Sequence, residues 1–259
     1  MSWQRVVGAV IVALVAAAAV VSLVWTPHDP LQADVAVRLQ GSSATHVMGT
    51  DQFGRDIFSR VMDGARLTLT VAVGAVGLSA LVGVPLGIWA GMRRGASRVV
   101  MAGADLLLAF PALLLAIVFT AVFGASIWIV VLAIGIAGIP GFVRVARAGT
   151  LQVMQQDYIL AARVAKVPGP AIARRHVLPN IWPIVLTQVS VAVALAILAE
   201  AGLSFLGLGA PAPYASWGRM LQASQPYLAT SPHLALWPGA AIALTVLGFN
   251  LLGSADDRR

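Results

Sequence analysis

The sequence predicts an all-α, polytopic membrane protein of six spanning helices, and three observations lead there. Of 259 residues, 59% are hydrophobic and only 10% charged, against about 45–50% and about 25% in soluble domains. Apolar stretches of spanning length recur along the chain. The basic residues fall in the gaps between those stretches. The formal net charge of +7 therefore reads as membrane topology rather than as a nucleic-acid footprint, because no basic stripe is interleaved with aromatic side chains. No cysteine is present, which excludes disulfides, thiolate metal sites and thiol nucleophiles.

A spanning helix needs about 20 apolar residues. The first covers residues 6–25; its apolar core outruns the roughly 7–15 residues of a signal peptide, so it reads as a retained anchor. A long polar loop, 26–66, precedes the second span at 67–92. From Val99 to Val143 the chain is apolar for 45 residues with only Asp105 inside. One helix of that length would overshoot a ~30 Å hydrocarbon core about twofold, so the stretch must fold back. Gly124-Ala125-Ser126 is the place for the turn, giving spans at 99–123 and 126–143. A basic, proline-punctuated loop, 144–180, leads to the fifth span at 181–203. A Pro-rich loop, 207–234, leads to the sixth at 235–252. Gly83, Gly87 and Gly91 line one face of the second span, where a neighbouring backbone can approach closely. Pro85, Pro111 and Pro140 each remove a helical hydrogen bond and can kink a span.

Arginine placement orients the bundle. With a cytoplasmic amino terminus the inside carries Arg5, Arg93, Arg94, Arg98, Arg144, Arg147, Arg163, Lys166, Arg174, Arg175, Arg258 and Arg259. The outside carries Arg38, Arg55, Arg60, Arg66 and Arg219. That excess satisfies the positive-inside rule. Both termini and the basic loop are expected in the cytoplasm, with 26–66 and 207–234 on the other side.

Inside the basic loop, Asp157 is the expected N-cap of a short helix through Ala165. Pro168-Gly169-Pro170 ends it, Pro170 opens a second short helix to about Val177, and Leu178-Pro179-Asn180 breaks that one, with Asn180 capping the fifth span. Two readings of these helices stand level on physical grounds. Amphipathic loop helices flanked by arginine can lie on an anionic bilayer surface, or they can dock on a protein.

A resemblance separates the two. "HVLPN", His176 to Asn180, preceded by Ala161-Ala162-Arg163, resembles the cytoplasmic EAA loop of ATP-binding-cassette (ABC) importer permeases. "MGTDQFGRDIFSRVMDGARLTL", residues 48–69, and "EAGLSFLGLGAPAPYASWGRML", residues 200–221, resemble the peptide/nickel branch of those permeases, in its dipeptide/oligopeptide permease protein C-like family. Three motifs in the same order carry the likeness, which runs from about Thr45 to Gly253.

The resemblance implies the type I ABC importer permease fold in a bacterial inner membrane. It implies an ATPase-coupling loop containing Asp157, Leu160, Ala161, Ala162, Arg163, Lys166, His176, Leu178, Pro179 and Asn180. The implied partners are a second permease subunit, two ATP-binding-cassette ATPase subunits and an extracytoplasmic substrate-binding protein. ATP and Mg are used by the ATPases, with no cofactor and no metal on this chain. Two positions depart from the motif: its glutamate falls at Leu160 and its glycine at Lys166. A lysine there is expected to resist positive φ, and loss of the carboxylate removes a charge-assisted contact.

Asp51, Arg55 and Asp56 admit a local reading, mutual pairing that orders the outer loop, and a functional one, a docking surface for the binding protein. Asp105 and Glu200 are ionisable groups in or near lipid and are expected either to line the pathway or, for Glu200, to bond the turn at Gly207 or Gly209. Enzymatic readings find little support. There is no G-x-x-x-x-G-K-[ST] phosphate loop and no H-E-x-x-H, and His28, His46, His176 and His233 all fall in loops. A secondary carrier would lead one to expect internal repeats with matching broken helices, which are not evident. Di- or oligopeptides are the expected substrates, with nickel chelates, haem or another small solute as alternatives.

Overall fold

The computed structural model describes residues 3–209, 211 and 214–254; Arg258 and Arg259, counted above, lie outside them. Ten α-helices are present among the described residues: α1 (Trp3–Val21), α2 (Ile57–Met92), α3 (Arg94–Leu108), α4 (Ala112–Phe123), α5 (Ile127–Val153), α6 (Asp157–Val164), α7 (Gly169–Ile172), α8 (Leu178–Phe205), α9 (Trp217–Ser224) and α10 (His233–Gly253). Five stretches are long and apolar enough to cross a membrane, and the α3–α4 pair makes up to six.

α2, α5, α8 and α10 each outrun, at one end or both, the apolar segment that announces them, whereas α1 stops at Val21, short of the expected 25. α2 begins ten residues before the expected span because Asp56 caps it, accepting from the Ser59 N–H. α5 continues past Val143 to Val153. Its two arginines do not end the helix, since each finds a partner on α3: Arg144 pairs with Asp105 at 2.7 Å and Arg147 donates to the Ser97 hydroxyl at 2.9 Å.

The expected third span, 99–123, in which Pro111 is expected to allow a kink, is sharply broken in the structure. α3 and α4 meet at a 78° bend, and Pro111 stands at the break as the N-cap residue of α4. Proline cannot donate to the preceding turn and biases Phe110 away from helical backbone. The return at Gly124 to Ser126 lies where α4 ends and α5 begins, with Gly124 at a φ of 85°.

The core is built on α2 against α5, with α8 closing it. The small residues of α2 are what allow this approach. A Cβ on Gly87 would lie 2.6 Å from the Val143 carbonyl oxygen and 2.7 Å from Ala146 Cβ, and one on Gly83 would lie 2.6 Å from Phe142 Cβ. Across the same seam Ser79 donates its hydroxyl to the Gly135 carbonyl at 2.6 Å. α1 stands at the periphery on α10, where Gly8 and Gly248 bring the two backbones together. At the end of the bundle where α2 begins, α9 folds over the helix ends and the buried Trp217 indole donates to the Val61 carbonyl at 2.9 Å.

Candidate functional site

The short helices between α5 and α8 lie at the end of the bundle where α2 finishes. Met92 and Arg93 share a cleft of about 510 Å³ with Gly169, Pro170 and Arg174 there. α6 has two faces. Ile159 is buried and Ala162 half-buried against the core, as are Ile172 and Val177 from the following segment. Leu160 and Val164, four residues apart, are 62% and 77% exposed. Residues at i and i+4 share a helix face, so α6 presents an apolar knob with Asp157 and Arg163 beside it and Lys166 just beyond, all exposed. Ala161 is exposed next to Leu160. The Tyr158 and His176 rings lie 6.0 Å apart and link α6 to the segment after α7.

Three local expectations need correction. Asp157 is not the N-cap. Gln156 holds that position without a side-chain bond, and Asp157 stands in the first turn, where its charge still favours the helix N-terminus. The helix is not stopped by Pro168-Gly169-Pro170. It stops earlier, at a Schellman turn in which Lys166 donates to the Arg163 carbonyl at 2.9 Å and Val167 to the Ala162 carbonyl at 3.0 Å. Lys166 adopts the left-handed conformation this turn demands, with φ at 57°, so the lysine does what was expected only of glycine. Finally, Leu178-Pro179-Asn180 does not break the chain. α7 passes through a π-turn, 173–177, straight into α8. The wider turn accommodates Pro179, which has no N–H to give. Asn180, rather than capping, donates its side-chain amide back to the His176 carbonyl at 2.6 Å.

At the opposite end, Asp51, Arg55 and Asp56 are brought together. Asp51 is buried and accepts from the Phe53 N–H at 2.8 Å, the Arg55 N–H at 3.0 Å and Arg55 Nε at 2.7 Å. Arg60 Nε lies 3.5 Å from the same carboxylate, and its other end donates to the Pro30 carbonyl at 2.9 Å. Arg55 stacks over the exposed Phe53 ring at 4.6 Å. Gly54, at a φ of 77°, is packed so closely against the Asp34 backbone that no side chain fits.

Asp56 is 3% exposed. One oxygen accepts the Ser59 N–H and hydroxyl, at 2.8 and 2.7 Å. The other lies 2.9 Å from His46 Nδ1 and 3.7 Å from His28 Nδ1. Burial pushes this carboxyl up, yet the bonds from the Ser59 N–H, His46 and the Ser59 hydroxyl, with His28 nearby, outweigh it and hold Asp56 below its ordinary value. Reading the sequence did not anticipate the two histidines here, because positions 28, 46 and 56 follow no ligand-spacing pattern and meet only through the fold of the loop.

Both lipid-depth acids are engaged within the chain. Asp105 pairs with Arg144 in a half-exposed bridge. Glu200 is 2% exposed between α2, α8 and the segment before α9. It accepts from Thr68 at 3.1 Å and Ser204 at 2.6 Å, and also bonds the Ser216 hydroxyl; its partners are hydroxyls, not the glycine turns.

Comparison with known proteins places this architecture. The chain is 38% identical over 249 residues to the dipeptide transport system permease protein DppC of Alkalihalophilus pseudofirmus, covering 96% of this chain and 82% of that one. It is 41% identical over 215 residues to the glutathione transport system permease protein GsiD of Pectobacterium atrosepticum, covering 83% and 71%. It is 37% identical over 249 residues to the probable D,D-dipeptide transport system permease protein DdpC of Escherichia coli K12, covering 96% and 84%. Among solved structures, a chain of the inward-facing MetNI methionine ABC transporter superposes with a TM-score of 0.65 at 15% identity, covering 76% of this chain and 94% of that one, a likeness of fold. The family model for the binding-protein-dependent transport system inner membrane component matches residues 83–255. The chain therefore belongs to that family, with the type I permease fold, and is a multi-pass inner-membrane transport permease rather than an enzyme.

Proposed function

We propose that this chain forms half of the translocation pathway of an ATP-driven importer of di- or oligopeptides, and that the 157–180 segment transmits the work of cytoplasmic ATPase subunits to it. The observation that carries this reading is the two-faced α6. Ile159 anchors it to the bundle while Leu160 and Val164 face outward at the end rich in arginine. An exposed apolar pair on a helix pinned from behind suits insertion into a groove of a partner. Burying a leucine there contributes about 1.5–3 kcal/mol. The Schellman turn and the π-turn on either side keep the element short and stiff, as a lever requires.

The peptide substrate is supported by the relatives, whose names specify dipeptide, glutathione and D,D-dipeptide transport. A second permease subunit completes the pathway, two ATPase subunits bind ATP and Mg, and a substrate-binding protein delivers cargo. The arginine distribution supports cytoplasmic termini. On the outer side Asp51 and Asp56 are buried, so their part in docking the binding protein is to hold the loop in shape, with Arg55 and Phe53 forming the surface it meets. A cleft of about 240 Å³ between α2, α4, α5 and α8, walled by Ser79, Gly138, Gly141, Gln188, Ala192 and Ala196, lies where the pathway side of this half would open; Asp105 and Glu200 have structural partners instead.

The test is ATPase activity of the reconstituted complex with and without peptide-loaded binding protein, comparing wild type with Leu160→Asp and Leu160→Met. Stimulation that falls at least tenfold in the aspartate variant, and survives in the methionine variant, supports coupling through this face. Equal stimulation in all three would overturn it.

A further inference from the structure

We propose that His28, His46 and Asp56 form a binding site for a divalent transition-metal ion of the zinc class, which clamps the loop of residues 26–56 onto the start of α2. The ligand atoms these three residues offer lie within 4.8 Å of one another. His46 Nδ1 and His28 Nδ1 stand 2.9 and 3.7 Å from the same oxygen, Asp56 Oδ1. In a tetrahedral site with bonds of about 2.0–2.2 Å, neighbouring ligand atoms are about 3.3 Å apart, so the two measured separations bracket the required value. His28, whose side chain is 42% exposed, is the ligand with room to turn and tighten the set.

The surroundings have the character of a metal site's outer shell. Asp56 Oδ2 is held by the Ser59 N–H and hydroxyl, which aims Oδ1 at the two imidazoles. The same Ser59 hydroxyl accepts the His28 backbone N–H at 3.0 Å, and the Ser43 hydroxyl accepts that of His46 at 3.0 Å. The carboxylate is thus oriented as outer-shell bonds orient metal ligands, and the two histidines are anchored at their backbones. The imidazole rings lie 4.6 Å apart and tilted by 34°, and both Nδ1 atoms approach the same Asp56 oxygen. Two neutral histidines and one carboxylate are a donor set that suits zinc and similar borderline cations, and the exposed edge at His28 leaves room for a water as fourth ligand. A bound ion would join three points far apart in sequence, 28, 46 and 56, and so further restrict a loop held by hydrogen bonds and the Asp51 ion pairs.

The test uses the full chain in its assembled transporter, stripped with EDTA and then equilibrated with zinc chloride. Metal content is read by elemental analysis and loop order by hydrogen exchange across residues 28–56. The expected result is one zinc per chain, with slower exchange in that segment on loading. His28→Ala, which leaves the Asp56–His46 contact and the helix cap in place, should abolish both effects while the complex still elutes as wild type. Ser59→Ala should weaken binding about 10–100-fold. Zinc that fails to bind wild type, or that binds the His28→Ala variant equally well, overturns the proposal and leaves an ordinary histidine–aspartate cap.

Discussion

Replacing Lys166 by glycine should tighten the end of α6, and the expected size follows from one backbone angle. Lys166 sits at a φ of 57° and closes the Schellman turn. For an L-residue the left-handed conformation costs roughly 1–2 kcal/mol, which glycine does not incur. Glycine gives back about 0.5–1 kcal/mol through the greater freedom of the opened chain. The net gain is about 0–1.5 kcal/mol, centred on about 0.75, which corresponds to a roughly three- to fourfold rise in protection of the two amides that make the turn, Lys166 and Val167, by hydrogen exchange. Lys166→Ala separates angle from charge: it keeps the strain, removes the ammonium, and should stay near wild type. Lys166→Val, β-branched at positive φ, should lose protection. If the glycine and alanine variants match, or glycine lowers protection, the strain does not reside at this residue and the reasoning fails.

Three further outcomes are expected. Gly87→Leu should lower the thermal midpoint of the detergent-solubilised chain by an amount corresponding to about 1–3 kcal/mol of overpacking, because its Cβ alone would already lie 2.6 Å from the Val143 carbonyl; Gly77→Ala, with nothing within 4 Å, should leave the midpoint unchanged or raise it. Glu200→Ala strands the Thr68 and Ser204 hydroxyls and should cost about 1–3 kcal/mol for each buried group left unpaired, whereas Glu200→Gln, which can both donate and accept, should recover most of that midpoint. Breaking the half-exposed Asp105–Arg144 pair by Asp105→Asn should change stability by no more than about 1 kcal/mol in a double-mutant cycle with Arg144→Gln; a coupling several times larger would show that the pair carries more of the α3–α5 contact than its exposure allows.

Features that depend on local chemistry were legible in the sequence; features that depend on convergence were not. Apolar length announces the long helices, and the glycine-serine turn at 124–126 announces the return between α4 and α5. Helix ends were harder. Hydropathy stops at Val143, but the α5 backbone continues to Val153 because Arg144 and Arg147 are paired by side chains on another helix. The reverse holds at Ala109 to Pro111, where hydropathy continues and the helix does not. Pro111 was visible as a kink site, but the size of the bend, 78°, was not. Lys166 failed as a signal for a related reason: propensity opposes its conformation, and the Schellman bonds, with Val167 and Ala162 half-buried behind them, overrule it.

The two ends of the bundle solve opposite problems with similar means. At the α6 end the chain leaves Leu160 and Val164 exposed on a short helix, with Ile159, Ile172 and Val177 buried behind them and the turns closed by backbone bonds. At the other end a loop of about thirty residues must keep one shape with little apolar core of its own. It does so by sinking carboxylates: Asp51 collects the Phe53 and Arg55 amides with two guanidinium groups, and Asp56 collects Ser59 and two imidazoles. α2 joins these ends as one helix of 36 residues, sealed against α5 along its glycine face. Under the proposed coupling, a displacement imposed on α6 would reach the bundle through Ile159, buried in the core, and the continuous 169–205 helix, while the close α2–α5 packing at Gly83 and Gly87 would resist sliding. The positions that tune coupling should therefore cluster at the joints, Lys166, the π-turn at 173–177 and Pro111, rather than along the seam.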